Sequence, residues 1–373
     1  MSPRAKKAGK PRASGKAAKA PKWKGVKDDA FAGHALRPGD FVEAELKVSE
    51  SVLHKSVDLP MLLVRGEMPG PTLFITGAVH GDEVLGAAIV RRVLDSVERR
   101  IVAGALVCLP VVNRFGFDQG DRYLPDRRDL NRHFPGDADG NMAARIAHTV
   151  FHRVVLACDR GIDLHTAASG HSNLCHIRGD AGDPHVRELM RAFGTPIIVD
   201  GDGPRGSLRR AATEAGVPTV LYEAGEPRRF QPHAVALGHQ GVLHLMARLG
   251  MVGPAGPRPP LQILVRQSAW VRADHGGIID LKVEPGDLVR KGDAIATVFN
   301  PYGREVDDVL AASSGVVLGT ATDPLAHPGM ALAHIGHLDK TFARAKAYVD
   351  AGGDLGHVGW GRGLAFGDGD AEE

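Results

Sequence analysis

Cysteine and aromatic residues are scarce in this chain, with three Cys and 5% aromatics in 373 residues. Cys108, Cys158 and Cys175 form neither a C-x-x-C pair nor an even set, and each lies in an apolar neighbourhood. A disulfide framework is therefore excluded, and the three read as small buried hydrophobes in a reducing cytoplasm. None stands at a helix start or beside a basic residue that would favour a thiolate nucleophile. No apolar run approaches the roughly 18 residues of a membrane span, and the N-terminus lacks the apolar core of a signal peptide. Acidic residues are missing from 1–27, which hold 10 of the 46 Lys+Arg, so the formal charge of +2 conceals a basic tail on a net acidic body. Poor in large apolar side chains, that tail reads as disordered and solubilising, with nonspecific nucleic-acid contact as its other use.

What the chain does have is enough apolar content, 43%, to bury a sizeable core. Strand-like runs alternate with helical stripes between 61 and 250, the pattern of an α/β domain with a parallel or mixed central sheet flanked by helices. Strands are expected at Met61 to Val64, Thr72 to Thr76, Ala105 to Val112, Ile162 to Leu164, Asn173 to Ile177, Pro196 to Val199 and Pro218 to Tyr222. Helices are expected at Val84 to Arg99, Asn141 to Cys158, Asp183 to Phe193, Ser207 to Ala215 and Pro232 to Leu249. Gly253 to Pro260 can sustain neither a helix nor a central strand and reads as a linker closing a domain of 28–250. Beyond it, 261–337 shows short strands between turn signals such as Pro285-Gly286-Asp287 and Lys291-Gly292-Asp293, a small all-β domain. The last segment, 338–373, is expected to be a poorly ordered tail.

Chemistry concentrates where the strands of the first domain end. His80-Gly-Asp-Glu83 directly follows the apolar run from Pro71 to Val79, and His165 ends a second run, Gly161 to Leu164. Neighbouring parallel strands finish at one edge of a sheet, so a pair of ligands from one connection and a third from another converge on a metal with an open position. The spacing alone is weak, since 18 His in the chain make about 0.7 His-x-x-Glu matches by chance. Context separates the two copies present. His185-Val-Arg-Glu188 follows Asp183-Pro184, an N-cap and first helical position, and lies on the polar side of a helix stripe. Glu223 ends the strand Pro218 to Tyr222, at the sheet edge shared with His80, Glu83 and His165, where a carboxylate can take a proton from water. The loop before Asp129-Leu-Asn131-Arg132 collects Arg122, Arg127 and Arg128, guanidinium forks suited to carboxylates, or else to a salt-bridged surface.

Together these segments resemble the succinylglutamate desuccinylase and aspartoacylase family, deacylating relatives of the zinc carboxypeptidases. The resembling motifs are His80-Gly-Asp-Glu83, Arg122-Tyr123, Asp129 to Gly136, Asp163-Leu-His-Thr166 and Tyr222-Glu-Ala-Gly-Glu226, in the family's order. The resemblance implies a zinc carboxypeptidase-like fold and one Zn2+ per chain held by His80, Glu83 and His165. It implies Glu223 as general base and proton shuttle, Arg122 polarising the scissile carbonyl, and Asn131 and Arg132 holding the substrate's carboxylate. Arg127 and Arg128 are near enough in sequence to take the place of Arg122. Asp163 either orients His165 or faces backbone or solvent. The segment 276–293 is similar to the β-domain appended in many bacterial members, placed near the mouth of the site. It shares its rhythm with lipoyl and biotinyl carriers but has no carrier lysine.

One motif points elsewhere. Gly201-Asp-Gly-Pro-Arg-Gly206 matches G-x-G-x-x-G between a strand and a helix. With 47 Gly in the chain, about 0.7 such matches arise by chance, so dinucleotide binding is not adopted. Ser207-Leu-Arg209 beyond it offers a substrate-facing arginine instead. The sequence thus points to a cytoplasmic zinc amidohydrolase acting on a small acylated, carboxylate-bearing substrate. A zinc carboxypeptidase or esterase is the nearest alternative, and a metabolite-binding protein recruited through its basic tail is the alternative of another class. His133, His171 and His176 are expected in polar shell or surface roles.

Overall fold

A computed structural model describes residues 30–357; the basic tail of 1–27 and the end of the C-terminal segment, 358–373, lie outside the described residues. A short ladder, β1 (Ala30–Phe31) with β2 (His34–Ala35), leads into β3 (Phe41–Glu50), which alternates Ala44, Leu46 and Val48 inward with Glu43, Glu45 and Lys47 outward. That period-2 pattern escaped the sequence reading. It marks a strand covered on one face only. β4 (Ser56–Arg65) pairs antiparallel with it, and β5 (Met68–Gly77), β6 (Ala103–Leu109), β7 (Arg160–His165) and β10 (Thr219–Gly225) form the parallel centre. β8 (His171–Gly179) runs antiparallel beside β10, and β9 (Ile197–Asp200) lies parallel to β8.

Strands buried on both faces explain the unbroken apolar runs of the centre. Leu73 and Ile75 face α1 (Leu85–Ser96), α4 (Pro184–Phe193) and α6 (Pro232–Arg248) in one core cluster. Phe74 faces the opposite cluster with α3 (Met142–Arg153) and α5 (Leu208–Glu214). Helix starts follow their caps: Asn141 accepts from the Ala144 N–H, and Asp183 from those of His185 and Val186. The His185 and Glu188 side of α4 is exposed, as its sequence context indicated. The short α2 (Arg114–Gln119) follows β6, which stops at Leu109 before Pro110 rather than at Val112.

The C-terminal part is rich in strands, as its turns indicated, but it is not set apart from the central sheet. β11 (Ile263–Val265) pairs with β9, and β12 (Ser268–Arg272), β19 (Ala331–His337) and β17 (Gly315–Ala321) continue the sheet outward from β8, with β14 (Leu288–Val289) on β17. Only β13 (Gly277–Leu281), β15 (Ala294–Phe299), β16 (Glu305–Leu310) and β18 (Leu325–Ala326) make a separate sheet. A boundary at the 253–260 linker is therefore crossed by backbone hydrogen bonds. The expectation of a poorly ordered tail also needs correction over 338–357, the part that lies within the described residues. α7 (Phe342–Asp350) buries Ala345 and packs Phe342, Tyr348 and Val349 against Leu174, Val199 and Leu318, where the two strand groups join. Its apolar positions at helical spacing were obscured by the Gly- and Asp-rich stretch after it. Among the described residues no helix is long and apolar enough to cross a membrane.

Candidate metal centre

Three adjacent parallel strand ends carry the site. β5 ends at Gly77, and the chain turns through His80 to Glu83, whose N–H donates to the His80 carbonyl at 3.1 Å before α1 starts. Gly81 is required there: a Cβ would fall 2.1 Å from the carbonyl carbon of Gly116 in α2. His165 is the last residue of β7, and its Cα is registered against Glu223 on β10. Side chains in register on neighbouring strands share a face, so His165 and Glu223 stand side by side.

His80, Glu83 and His165 are buried, and one ligand atom from each lies within 4.8 Å of the others. Nδ1 of His80 is 2.6 Å from Oε1 of Glu83, and Nδ1 of His165 is 2.7 Å from Oε2. Each imidazole is backed by a second carboxylate at its other nitrogen: Asp163 at 2.8 Å from His165 Nε2, Asp129 at 3.2 Å from His80 Nε2. Thr76 Oγ1 donates to the other oxygen of Asp163 at 2.7 Å. Carboxylates behind histidines set the tautomer and ring orientation that metal ligands require. Of the roles left open for Asp163, orienting His165 is the one the geometry shows. The three groups perturb one another: Glu83 and the backing carboxylates raise the pKa of both histidines against their burial, and the histidines lower that of Glu83 despite its burial, so the pocket favours positive charge at the imidazoles and negative charge at the carboxylate. A cation supplies that positive charge in place of protons, so the donor set fits a divalent metal.

The other residues expected in the site line the same cavity of about 530 Å3: Arg122, Asn131, Arg132, Arg209 and Glu223. Arg122 donates from Nη1 to Glu83 Oε1 at 2.9 Å, while Arg127 and Arg128 are exposed and Arg128 pairs with Asp126, so neither replaces it. Asn131 accepts from the Leu208 N–H at 2.8 Å, tying the Asp129 loop to the start of α5. Arg132 is half-exposed, 3.8 Å from Asp129. Arg209 is buried, donates to the Gly201 carbonyl at 2.5 Å, and keeps its Nε without a partner. Desolvation, then the nearby Arg178, lowers its pKa to about 10. Burial raises Glu223, whose Oε1 accepts from Asn173 Nδ2 at 3.0 Å.

The glycine-rich loop at 201–206 serves these arginines. Gly206 has φ +78°, and a Cβ on it would sit 2.2 Å from the Arg132 carbonyl oxygen; one on Gly203 would sit 2.7 Å from Arg209 Nη2. Close approach of site residues accounts for the glycines. Sequence reasoning missed Asn173, Arg178, Trp270 and His334, which also line the cavity. Trp270 on β12 stacks on His334 of β19 at 4.5 Å and meets His171 edge-on at 5.5 Å, so the C-terminal strands wall the site. His171 and His176 line the cavity too, whereas His133 is turned to the Asp129 carbonyl at 2.9 Å.

The family model for the succinylglutamate desuccinylase/aspartoacylase catalytic domain matches residues 69–249, the stretch that supplies every candidate ligand and the base candidate. Residues 69–249 belong to this family. The desuccinylase/aspartoacylase domain has a curated relative, the N-alpha-acetyl-L-2,4-diaminobutyric acid deacetylase of Halomonas elongata, 29% identical over 280 residues, covering 69% of this chain and 81% of that protein. Its fold is that of the ectoine utilization protein EutE (DoeB) from Ruegeria pomeroyi, with TM-score 0.71 and 24% identity over 81% of this chain and 98% of the other. A succinylglutamate desuccinylase/aspartoacylase from Rhodobacter sphaeroides is as similar, with TM-score 0.70 and 24% identity over 84% and 98% of the two chains.

Proposed function

We propose that the protein is a zinc-dependent amidohydrolase that removes the acyl group from a small N-acylated amino acid. The observation that supports this most is the meeting of His80, Glu83 and His165 within 4.8 Å, with Glu223 in register beside His165. Two imidazoles and one carboxylate are a zinc donor set that leaves a coordination position open. Held by these residues, zinc supplies Lewis acidity toward the carbonyl and lowers the pKa of water to about 7. Glu223, fixed by Asn173, takes the proton of the attacking water and returns it to the departing nitrogen. Arg122 lends positive charge to the carbonyl oxygen. The Asn131 amide, whose oxygen is engaged by Leu208, is left with its NH2 donors for the substrate's carboxylate beside Arg132, and Arg209 is a third substrate contact.

The deacetylase of Halomonas elongata supports an N-acyl amino acid over a peptide or ester. Glu223 beside the complete set of candidate ligands favours catalysis over a purely binding role. The test combines metal analysis of the purified protein with a panel of N-acyl amino acids, short peptides and simple esters. Glu223→Gln is expected to keep zinc and lose about 10²- to 10⁴-fold in kcat. Unchanged turnover in that variant removes Glu223 from the mechanism.

A further inference from the structure

Residues directly opposite each other on neighbouring strands share a face of the sheet. Across the C-terminal strands one such row runs from Trp270 on β12 through His334 on β19 and Gly319 on β17 to Asn173 on β8. It ends at the base candidate, because Asn173 Nδ2 donates to Glu223 Oε1 at 3.0 Å. A Cβ on Gly319 would lie 2.4 Å from Asn173 Oδ1, so the amide lies across the bare backbone of β17. Asn173, His334 and Trp270 all line the cavity that holds the metal ligands. The row is thus one wall leading outward from Glu223.

The far end of that wall is uncharged and aromatic. Trp270 stacks on His334 with its plane 11° from parallel, and His171 meets the indole edge-on. Ser268 Oγ, 2.8 Å from His334 Nε2, fixes the imidazole beneath it. Burial, then the charges of Arg178 and His337, pushes the pKa of His334 down to about 4, so the ring is neutral near neutral pH. Val271, the next residue, joins the apolar core of the C-terminal strands, whereas Trp270 is left 40% exposed. An indole already held by stacking and still open loses little freedom when a ligand meets it, and it offers a large apolar contact. The cavity, at about 530 Å3, is also larger than N-acetyl-L-alanine fills.

We propose that Trp270, backed by His334, is a specificity-determining platform that receives an uncharged aromatic group carried by the substrate. This rests on the deacylase reading and narrows its substrate. β8, β17 and β19 separate β10 from β12, so the platform stands away from Glu223. A substituent longer than acetyl or methyl is what reaches it. The acyl group and the amino-acid side chain are the two places on an N-acyl amino acid where such a ring is borne, and both present the same chemistry to the indole.

The experiment measures kcat/KM of the full-length zinc enzyme for N-phenylacetyl-L-alanine, N-acetyl-L-phenylalanine and N-acetyl-L-alanine, in wild type, Trp270→Ala and Trp270→Phe. Wild type is expected to favour a ring-bearing substrate over N-acetyl-L-alanine. Trp270→Ala should lower that preference about 10-fold, and Trp270→Phe should keep most of it. A preference lost for the phenylacetyl compound assigns the ring to the acyl group, and one lost for the phenylalanine compound assigns it to the side chain. An indole that only props His334 lowers all three substrates alike and leaves the ratios unchanged, which overturns the proposal. A wild type with no preference for either ring overturns it as well. Calorimetry with phenylacetate, L-phenylalanine, acetate and L-alanine separates this claim from the activity. If no amide is cleaved, binding of a ring-bearing fragment that Trp270→Ala weakens still upholds the platform, and ring-bearing fragments bound no better by wild type than by Trp270→Ala remove it.

Discussion

Replacing Asp163 by Asn isolates what the carboxylate behind His165 contributes to metal binding. The residue is fully buried, 2.8 Å from His165 Nε2 and 2.7 Å from the Thr76 hydroxyl, so it has no other orientation to adopt. Asn has the same shape and can still accept from His165; what it loses is the charge that makes the imidazole a better donor to a cation. Outer partners of this kind change metal affinity about 10- to 100-fold, or about 1.4 to 2.8 kcal/mol. Asp129, behind His80, is the internal comparison. It stands at 3.2 Å, its side chain is 18% exposed, and it also serves Arg122, Arg132 and the Asn131 N–H. Competition for zinc against a chromophoric chelator at neutral pH should therefore rank wild type above Asp129→Asn and Asp129→Asn above Asp163→Asn. Circular dichroism of the metal-free proteins checks that each folds. Zinc affinity in Asp163→Asn within about twofold of wild type, on the scale of the tenfold lower bound, would refute the orienting role; the reverse ranking would refute its geometric basis.

Other outcomes follow from the same geometry. His80→Ala should lose metal as well as activity, and full zinc occupancy by elemental analysis would dismiss it as a ligand. Gly206→Ala forces a Cβ into the Arg132 carbonyl at positive φ, so it should lower stability by about 1 kcal/mol or more and raise KM by displacing Arg132; a wild-type melting curve and KM would contradict this. His357 has its pKa raised to about 9 by Asp287 and Asp354, which favour its charged form. The folded state thus holds a proton that the unfolded chain releases near its ordinary pKa of about 6.5. Stability from this contact is complete below that value and fades as pH climbs through about 9. Thermal unfolding across that window should show the decline in wild type and a flatter profile in His357→Gln.

Much of the site was readable locally. The parallel core strands were visible as unbroken apolar runs, and helix limits at α4 and α6 fell where Pro and cap residues stood. His80, Glu83, His165 and Glu223 were legible because each stands at the end of an apolar strand run or within a few residues of it. Asn173 was not, since regular alternation on β8 cannot put both Asn173 and His176 on one face, and the bulge that does so depends on pairing with β10. Nor were Trp270 and His334. Both are separated from the ligands by a linker and reach the cavity only through the β17 to β8 pairing.

Periodicity, punctuation and motif order are properties of neighbouring residues, and these determined the α/β architecture, the strand-rich C-terminal part and the set of ligand candidates. Which strands lie side by side, in what register and with what irregularity, is set by contacts between segments up to a hundred or more residues apart. Only the tertiary structure decided that Asp163 and Asp129 back the two histidines, that Arg122 rather than Arg127 or Arg128 reaches Glu83, and that C-terminal strands close the cavity. Each of those facts depends on distances of a few ångströms across separate elements, which no local pattern encodes.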